Sequence, residues 1–118
     1  MIGYVLSWWT VMIIMGIDPG IATVGFGVIE AEGAKLRCCR HGIISTKAGV
    51  RLALRLSSIY YDVGELIDTW KPDIIAVEEL FFNTNITTGI SVAHGRAAII
   101  LAGEQKSVPM VEYTPLQV

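Results

Sequence analysis

Carboxylate side chains end two apolar segments of the sequence. Asp18 lies in the string GIDPG, where the Pro-Gly pair breaks an apolar run into a turn. Glu78 and Glu79 end the string DIIAVEE. Ligand sites of α/β sheets lie at the carboxyl ends of strands. We therefore expect Asp18 and one of these glutamates to converge if the two segments are parallel neighbours; the alternative role of Asp18 is to cap its turn.

Two carboxylates held together repel each other, and a bound cation removes that repulsion. No histidine or cysteine adjoins either segment, so the ligands are hard oxygens that suit Mg²⁺ or Mn²⁺ rather than zinc. Such a metal can activate water and stabilise an in-line phosphoryl displacement. Because side chains alternate along a strand, Glu78 and Glu79 point to opposite faces, and the pattern does not choose between them.

The spacing of apolar residues predicts the elements that position these groups. Apolar runs bounded by turn residues predict strands, the first three of which form an antiparallel meander. The strands are expected at 13–17, 24–29, 36–45, 74–77 and 108–113. Together with two helices, this order predicts an α/β sheet with both faces partly covered.

Apolar residues three and four positions apart predict the two helices. The first ends at Lys71-Pro72, and the second follows a polar stretch at 83–88. The expected apolar stripes are Leu52, Leu56, Ile59, Val63, Leu66 and Trp70 in the first helix, and Ile86, Ile90, Ala93, Ala97 and Ile100 in the second.

The composition indicates one globular domain. The chain has 118 residues, 53% of them hydrophobic, and a net charge of -2. This charge argues against a generally basic nucleic-acid-binding protein, unless basic residues cluster locally. Most of them fall in one stretch, where a phosphate-binding face and a solvated surface are both plausible. They are Arg37, Arg40, His41, Lys47, Arg51 and Arg55.

The amino-terminal segment 1–11, MIGYVLSWWTV, is apolar but lacks the basic residues and cleavage site of a signal peptide. The apolar run is also too short for a membrane span. We interpret it as an extension, with the natural start at Met12 or Met15. The adjacent Cys38 and Cys39 make a poor disulfide, which favours a reducing cytoplasm.

Three strings of the sequence resemble the RuvC family of Holliday-junction resolvases: IIMGIDPGIATVGFGVI, DIIAVEELFF and NTNITTGISVAHGRA. The resemblance runs from about Met12 to Val118. It implies a ribonuclease-H-like fold, a mixed five-stranded sheet flanked by helices. It also implies a homodimer that cuts four-way junctions symmetrically with magnesium, in DNA recombination and repair, alongside a branch-migration helicase complex. The family's first two acidic ligands match Asp18 and Glu78.

The resemblance also implies DNA-binding residues. The position matching Phe81 contacts bases, although packing in the core is the alternative for Phe81 and for its neighbour Phe82. Asn83, Thr84 and Asn85 are small hydrogen-bonding residues before a helix, where they can cap the helix or bind phosphate. Arg96 is expected to face either DNA or a dimer partner.

The second predicted helix is also the expected dimer interface, because the family pairs its subunits in this region. Its small residues allow a twin helix to approach closely. They are Gly89, Ala93, Gly95, Ala97 and Ala98.

The sequence departs from the family at its carboxyl end. The family needs two further carboxylates on a helix there, but after Glu79 the only acidic residues are Glu104 and Glu112. We therefore expect residues 12–118 to form a nuclease domain without its last helix, holding half a catalytic site and inactive alone. The alternatives are an actin-like or sugar-kinase-like ATPase lobe and a non-catalytic ribonuclease-H-like DNA-binding module.

Overall fold

The computed structural model describes residues 11–79 and 86–113. The seven predicted elements are confirmed in type and order. They are strands β1 (Met12–Asp18), β2 (Thr23–Glu32) and β3 (Lys35–Ser45), helix α1 (Leu52–Trp70), strand β4 (Ile74–Glu78), helix α2 (Ile86–Gln105) and strand β5 (Met110–Tyr113).

The five strands form one mixed sheet in the order β3-β2-β1-β4-β5. The first three make the predicted antiparallel meander. Strand β4 returns parallel to β1, and β5 lies parallel to β4. The carboxyl ends of β1, β3, β4 and β5 therefore lie at one edge of the sheet, which we call the carboxyl edge.

Both helices pack on the same face of the sheet, so the expectation that both faces are covered does not hold for the described residues. The crossovers β3-α1-β4 and β4-α2-β5 advance across the sheet in the same direction. Because such crossovers are right-handed, they place both helices on one side. The buried core lies between this face and the helices: Met15, Ile17, Val24, Val28, Ile44, Ile59, Val63, Ile67, Ile75, Val77, Ala98, Ile99 and Ala102.

The predicted stripe of α1 is largely correct. Ile59 and Val63 are fully buried, although Ile67 also faces the core and Leu52 at the helix start is exposed. The helix ends as predicted at Lys71, which adopts a left-handed conformation and donates its N–H to the Ile67 carbonyl.

The predicted stripe of α2 does not identify its buried face. Ile99 and Ala102 face the core, whereas Ile90 is 51% exposed and Ala97 is exposed. The helix carries apolar residues on all sides, so their spacing does not distinguish a core side. Ala98 and Gly103 are buried instead, and a Cβ on Gly103 would lie 2.6 Å from the Met110 Cε of β5, so these small residues let the helix approach the sheet closely.

The second face of the sheet, which we call the open face, carries the side chains that alternate with the core. Gly16 and Gly27 are paired neighbours on it, and a Cβ added at either would meet no atom within 4 Å. Ile43 on this face is 65% exposed and Val111 is 46% exposed. This face is therefore a shallow apolar surface with a glycine pair in its middle.

Segment 1–10 lies outside the described residues. No helix in the described ranges is long and apolar enough to cross a membrane. Cys38 and Cys39 both carry free thiols, as expected.

Candidate metal and DNA site

Parallel pairing brings the two predicted carboxylates together. Ile17 of β1 lies opposite Val77 of β4, so the next residues of the two strands, Asp18 and Glu78, are also neighbours. Met15, Ile17, Ile75 and Val77 point into the core. By alternation, Asp18 and Glu78 both point to the open face at the carboxyl edge.

The two carboxyl groups interact directly. A hydrogen bond with Asp18 raises the pKa of Glu78, and burial and the negative charge of Asp18 raise it further. Without a cation, the neutral form of the Glu78 carboxyl is therefore favoured more than in the unfolded chain. The neighbouring Glu79 is exposed, and its backbone N–H donates to the Tyr113 carbonyl at 2.6 Å. Geometry thus selects Glu78 rather than Glu79 as the partner of Asp18.

Two further residues complete a row across four strands at this edge. Gly25 of β2 lies opposite Asp18, and Tyr113 of β5 lies opposite Glu78. Burial, followed by the charges of Glu78 and Asp18, raises the pKa of the Tyr113 phenol. Sequence reasoning missed both flanking residues, because each is identified only by the register of its strand.

The turn after Asp18 is held by α2 through two glycines. A Cβ on Gly95 would lie 1.8 Å from the carbonyl oxygen of Gly20, so helix and turn are in backbone contact. A Cβ on Gly20 would lie 2.1 Å from the Thr23 carbonyl oxygen. Neither position admits another residue without movement of the backbone. Gly95, which lies in the family-like string NTNITTGISVAHGRA, thus helps to position the turn.

A second contact ties the same turn to α1. The Thr46 hydroxyl donates to the Ile21 carbonyl, and the Thr46 N–H donates to the Ala22 carbonyl at 3.0 Å. Arg55 of α1 donates from its Nε to the Thr46 hydroxyl oxygen at 3.0 Å. The turn is therefore fixed from both helices.

The donor set at the carboxyl edge fits a hard divalent cation. The two neighbouring carboxyl groups offer oxygen ligands of the kind that Mg²⁺ and Mn²⁺ prefer. Among the described residues, no group of three or more His, Cys, Asp or Glu side chains could hold a metal. The described part of the site thus brings the two predicted ligands together, and their role in binding a metal stays a prediction.

The predicted DNA-binding residues fall in two categories. Phe81, Asn83, Thr84 and Asn85 lie outside the described residues. The Arg96 side chain is only 18% exposed and forms an ion pair with Glu112 of β5. Its Nε is buried without a hydrogen-bond partner in the described structure. Arg96 therefore ties α2 to β5 inside the subunit, and its contact with DNA or a partner stays a prediction.

The basic stretch is divided between the two edges of the sheet. Lys47 and Arg51 follow the carboxyl end of β3, at the same edge as Asp18, and both are exposed. Arg37 lies near the other end of that strand and pairs with Glu30 at 2.5 Å. Lys47 and Arg51 thus add positive charge to the edge of the sheet at which the carboxylate pair lies, which the sequence order did not reveal.

Comparison with known proteins identifies the family. The family described as Crossover junction endodeoxyribonuclease RuvC matches residues 14–118. The chain belongs to the RuvC family. This membership favours the nuclease interpretation over the ATPase-lobe interpretation.

Curated RuvC proteins are similar over most of this chain. Crossover junction endodeoxyribonuclease RuvC of Brevibacillus brevis is 51% identical over 107 residues, which are 91% of this chain and 64% of the relative. The protein of the same name from Rubrobacter xylanophilus is 49% identical, covering 92% of this chain and 61% of the relative. The chain therefore spans less than two thirds of the length of these relatives.

Solved structures agree with the RuvC assignment. Thermus thermophilus RuvC superposes with a TM-score of 0.81 at 32% identity, covering 90% of this chain and 66% of that one. T. thermophilus RuvC in complex with Holliday junction substrate gives a TM-score of 0.82 at 29% identity, with the same coverage. The Aquifex aeolicus PPX-GPPA enzyme, at 0.53 and 16% identity, shares the fold alone, covering 92% of this chain and 38% of that one.

The carboxylate pair predicts an unusual dependence of stability on pH when divalent cations are absent. Because folding raises the pKa of Glu78, the native state holds this proton more tightly than the unfolded chain. The free energy of unfolding should therefore fall as the pH rises from about 4.5, the ordinary value, through the folded pKa of Glu78. Glu78→Gln should remove this fall and raise Tm at neutral pH. Thermal melts in EDTA at several pH values measure both effects.

Glu79→Gln is the matched control for that experiment, since Glu79 is exposed and lies outside the pair. It should keep the fall in stability with rising pH. Identical pH profiles for Glu78→Gln and the unchanged chain would contradict the coupling of the two carboxyl groups.

The contact between Gly95 and Gly20 predicts that Gly95→Ala is destabilising, although alanine is the better helix former. The added methyl group should force helix and turn apart and lower the free energy of unfolding by about 1–3 kcal/mol. Urea denaturation measures the change. Gly64→Ala in α1 is the control, because its Cβ would meet the Lys106 Cε at an ordinary 3.6 Å. That change should stabilise by up to about 1 kcal/mol; equal effects of the two substitutions would exclude the proposed close contact.

Proposed function

We propose that this RuvC-family chain is the nuclease domain of a crossover-junction endodeoxyribonuclease. Its substrate is four-way junction DNA, which it resolves by metal-dependent cuts in recombination and repair in the bacterial cytoplasm. The observation that carries the proposal is the Asp18–Glu78 pair, two interacting carboxylates at the carboxyl edge of a RuvC-family sheet. A nuclease of this kind needs paired acidic ligands at such a position.

Asp18 and Glu78 would hold Mg²⁺ or Mn²⁺ through one carboxylate each. When bound, the metal supplies an activated water and charge stabilisation for phosphodiester hydrolysis. The residues of the chain contribute the fixed geometry. The backbone pairing of β1 with β4 sets the separation of the two ligands, and the glycine contact with α2 fixes the turn that follows Asp18.

The open face is the side from which further ligands would arrive. Both carboxylates point to this face, and the paired Gly16 and Gly27 leave space on it. The resemblance implies a last helix carrying two further carboxylates, and we propose that such a helix lies on this face. With two ligands only, the 118 residues are expected to bind junction DNA without cutting it.

The DNA would approach over the carboxyl edge. Lys47 and Arg51 are exposed there, close to the first turn of α1, where the helix dipole adds further positive potential. This local positive charge would allow DNA binding although the net charge of the whole chain is -2. Phe81, Asn83, Thr84 and Asn85 follow β4 in the sequence, and we propose that they contact the junction, a role that the resemblance implies for Phe81.

The chain is also proposed to act as a homodimer, since two symmetric cuts require two sites. An apolar groove of about 460 Å³ runs between α1 and α2, lined in part by Tyr61, Ala97 and Leu101. Tyr61 is 68% exposed and Leu101 is 51% exposed. Ile90, Ala97 and Leu101 lie on one side of α2 at helical spacing, a stripe that a second copy can cover around a two-fold axis. A branch-migration helicase complex is a further partner that the family implies.

The proposed activity is tested by measuring junction binding and junction cleavage separately. A chimera would join the corresponding carboxyl-terminal segment of the Brevibacillus brevis relative after Val118 to supply the missing ligands. In this chimera, Asp18→Asn should abolish junction cleavage and leave junction affinity nearly unchanged, because it removes a metal ligand without removing a DNA contact. Gel assays of cleavage in Mg²⁺ and of binding in EDTA measure the two effects. Cleavage at the original rate by Asp18→Asn would exclude the site.

The same assays test the DNA path. The double change Lys47→Gln/Arg51→Gln should weaken junction binding. It should also make the plot of log affinity against log salt concentration less steep, by about two units of slope. Lys35→Gln/Arg37→Gln removes the same charge from the far end of β3 and should have much less effect. Equal losses for the two variants would place the DNA path elsewhere.

Sedimentation tests the dimer. Leu101→Lys introduces a charge into the groove without touching the core, so it should convert a dimer into a monomer while Tm stays within a few degrees. Glu104→Lys, an exposed change one turn further along α2, should leave the dimer intact. A monomer at all concentrations of the unchanged chain would contradict this interface.

A further inference from the structure

The four residues in the row at the carboxyl edge leave the carboxylate pair unequally surrounded. Across β2, β1, β4 and β5 the row reads Gly25, Asp18, Glu78 and Tyr113. All four lie on the open face. Asp18, Gly25 and Glu78 each adjoin a buried core residue of their own strand, and Tyr113 lies opposite Glu78. The flank of Asp18 is a glycine without a side chain, whereas the flank of Glu78 is an aromatic ring.

Contacts with β4 and α2 hold Tyr113 in position. Its carbonyl accepts the Glu79 N–H at 2.6 Å, which holds the ends of β4 and β5 together. The preceding residue, Glu112, is anchored to α2 by the ion pair with Arg96. Tyr113 itself is half-buried although it ends an edge strand. Neighbouring strands of a sheet lie about 4.7–4.9 Å apart, and Tyr113 is the direct partner of Glu78 on the same face, so the ring borders the Glu78 side chain.

We propose that Tyr113 is a positioning residue of the candidate metal site: its ring closes the β5 flank of Glu78 and confines that carboxylate beside Asp18. A glutamate has three rotatable side-chain bonds, and its unconfined carboxylate would turn away from the negative charge of Asp18. The ring occupies the space into which it would turn. The proposal rests on the proposed metal site and assigns Tyr113 no contact with DNA or metal.

The geometry makes the ring, rather than the hydroxyl, the part of Tyr113 that matters. The hydrogen bond of Glu78 is with Asp18, and burial and the charges of Glu78 and Asp18, rather than a hydrogen bond, raise the pKa of the Tyr113 phenol. Phenylalanine should therefore replace Tyr113, whereas alanine should not. Gly25 on the other flank leaves the Asp18 side unobstructed, which keeps one approach to the pair open.

Mn²⁺ affinity of the 118-residue chain without DNA tests the proposal, measured by the electron paramagnetic resonance of free Mn²⁺. Tyr113→Ala should weaken binding by roughly tenfold, the usual size of effect for a residue that orients a metal ligand. Tyr113→Phe should bind like the unchanged chain. Val111→Ala is the matched control, because Val111 lies on the same strand and face but opposite Ala76. It should leave the affinity unchanged.

Asp18→Asn separates failure of this proposal from failure of the metal site. If Asp18→Asn loses Mn²⁺ binding and Tyr113→Ala retains it, the metal site stands and the role of Tyr113 is overturned. If Asp18→Asn binds Mn²⁺ like the unchanged chain, the metal site itself is wrong. Equal losses of Mn²⁺ affinity in Tyr113→Phe and Tyr113→Ala would also overturn the proposal, since the aromatic ring would then not be what confines Glu78. Thermal melts establish that each variant is folded at the temperature of the measurement.

Discussion

The repulsion between Asp18 and Glu78 is the constraint on which the rest of this edge depends. Two carboxyl groups at the ends of adjacent parallel strands cannot both carry a charge at low cost, and a bound cation would remove that cost. A flexible backbone would relieve the repulsion by letting the strand ends separate. The pairing of β1 with β4, whose other side chains lie in a packed core, prevents that movement. The sheet thus holds the two carboxylates close together despite their repulsion, which a bound metal would relieve.

The elements around the pair oppose the same separation. Gly95 brings α2 into backbone contact with the turn after Asp18, and Thr46 and Arg55 hold that turn from the other helix. On the β5 side, the Arg96–Glu112 ion pair anchors the strand that carries Tyr113. Residues outside the pair therefore determine where Asp18 and Glu78 lie.

The sequence predicted the elements well because their patterns are local. The Pro-Gly turn of GIDPG predicts the end of β1, the two glutamates of DIIAVEE predict the end of β4, and Lys71-Pro72 predicts the end of α1. The buried face of α2 was not readable, because apolar residues surround that helix. The choice of Glu78 over Glu79 was left open by alternation and was made by the family resemblance. Tyr113 and Gly25 went unnoticed because their proximity to the pair depends on register between distant strands.

The central claim is that Asp18 and Glu78 form one cation site at the carboxyl edge. Nuclear magnetic resonance spectra of the ¹⁵N-labelled chain, recorded during a Mn²⁺ titration, test it directly, because the paramagnetic ion broadens the amide signals nearest to it. The account predicts that the signals of Asp18, Glu78, Gly25 and Tyr113 broaden first and together, and that Mg²⁺ restores them by competition. Broadening centred instead on the acidic residues of α1, or spread evenly over the surface, would contradict it.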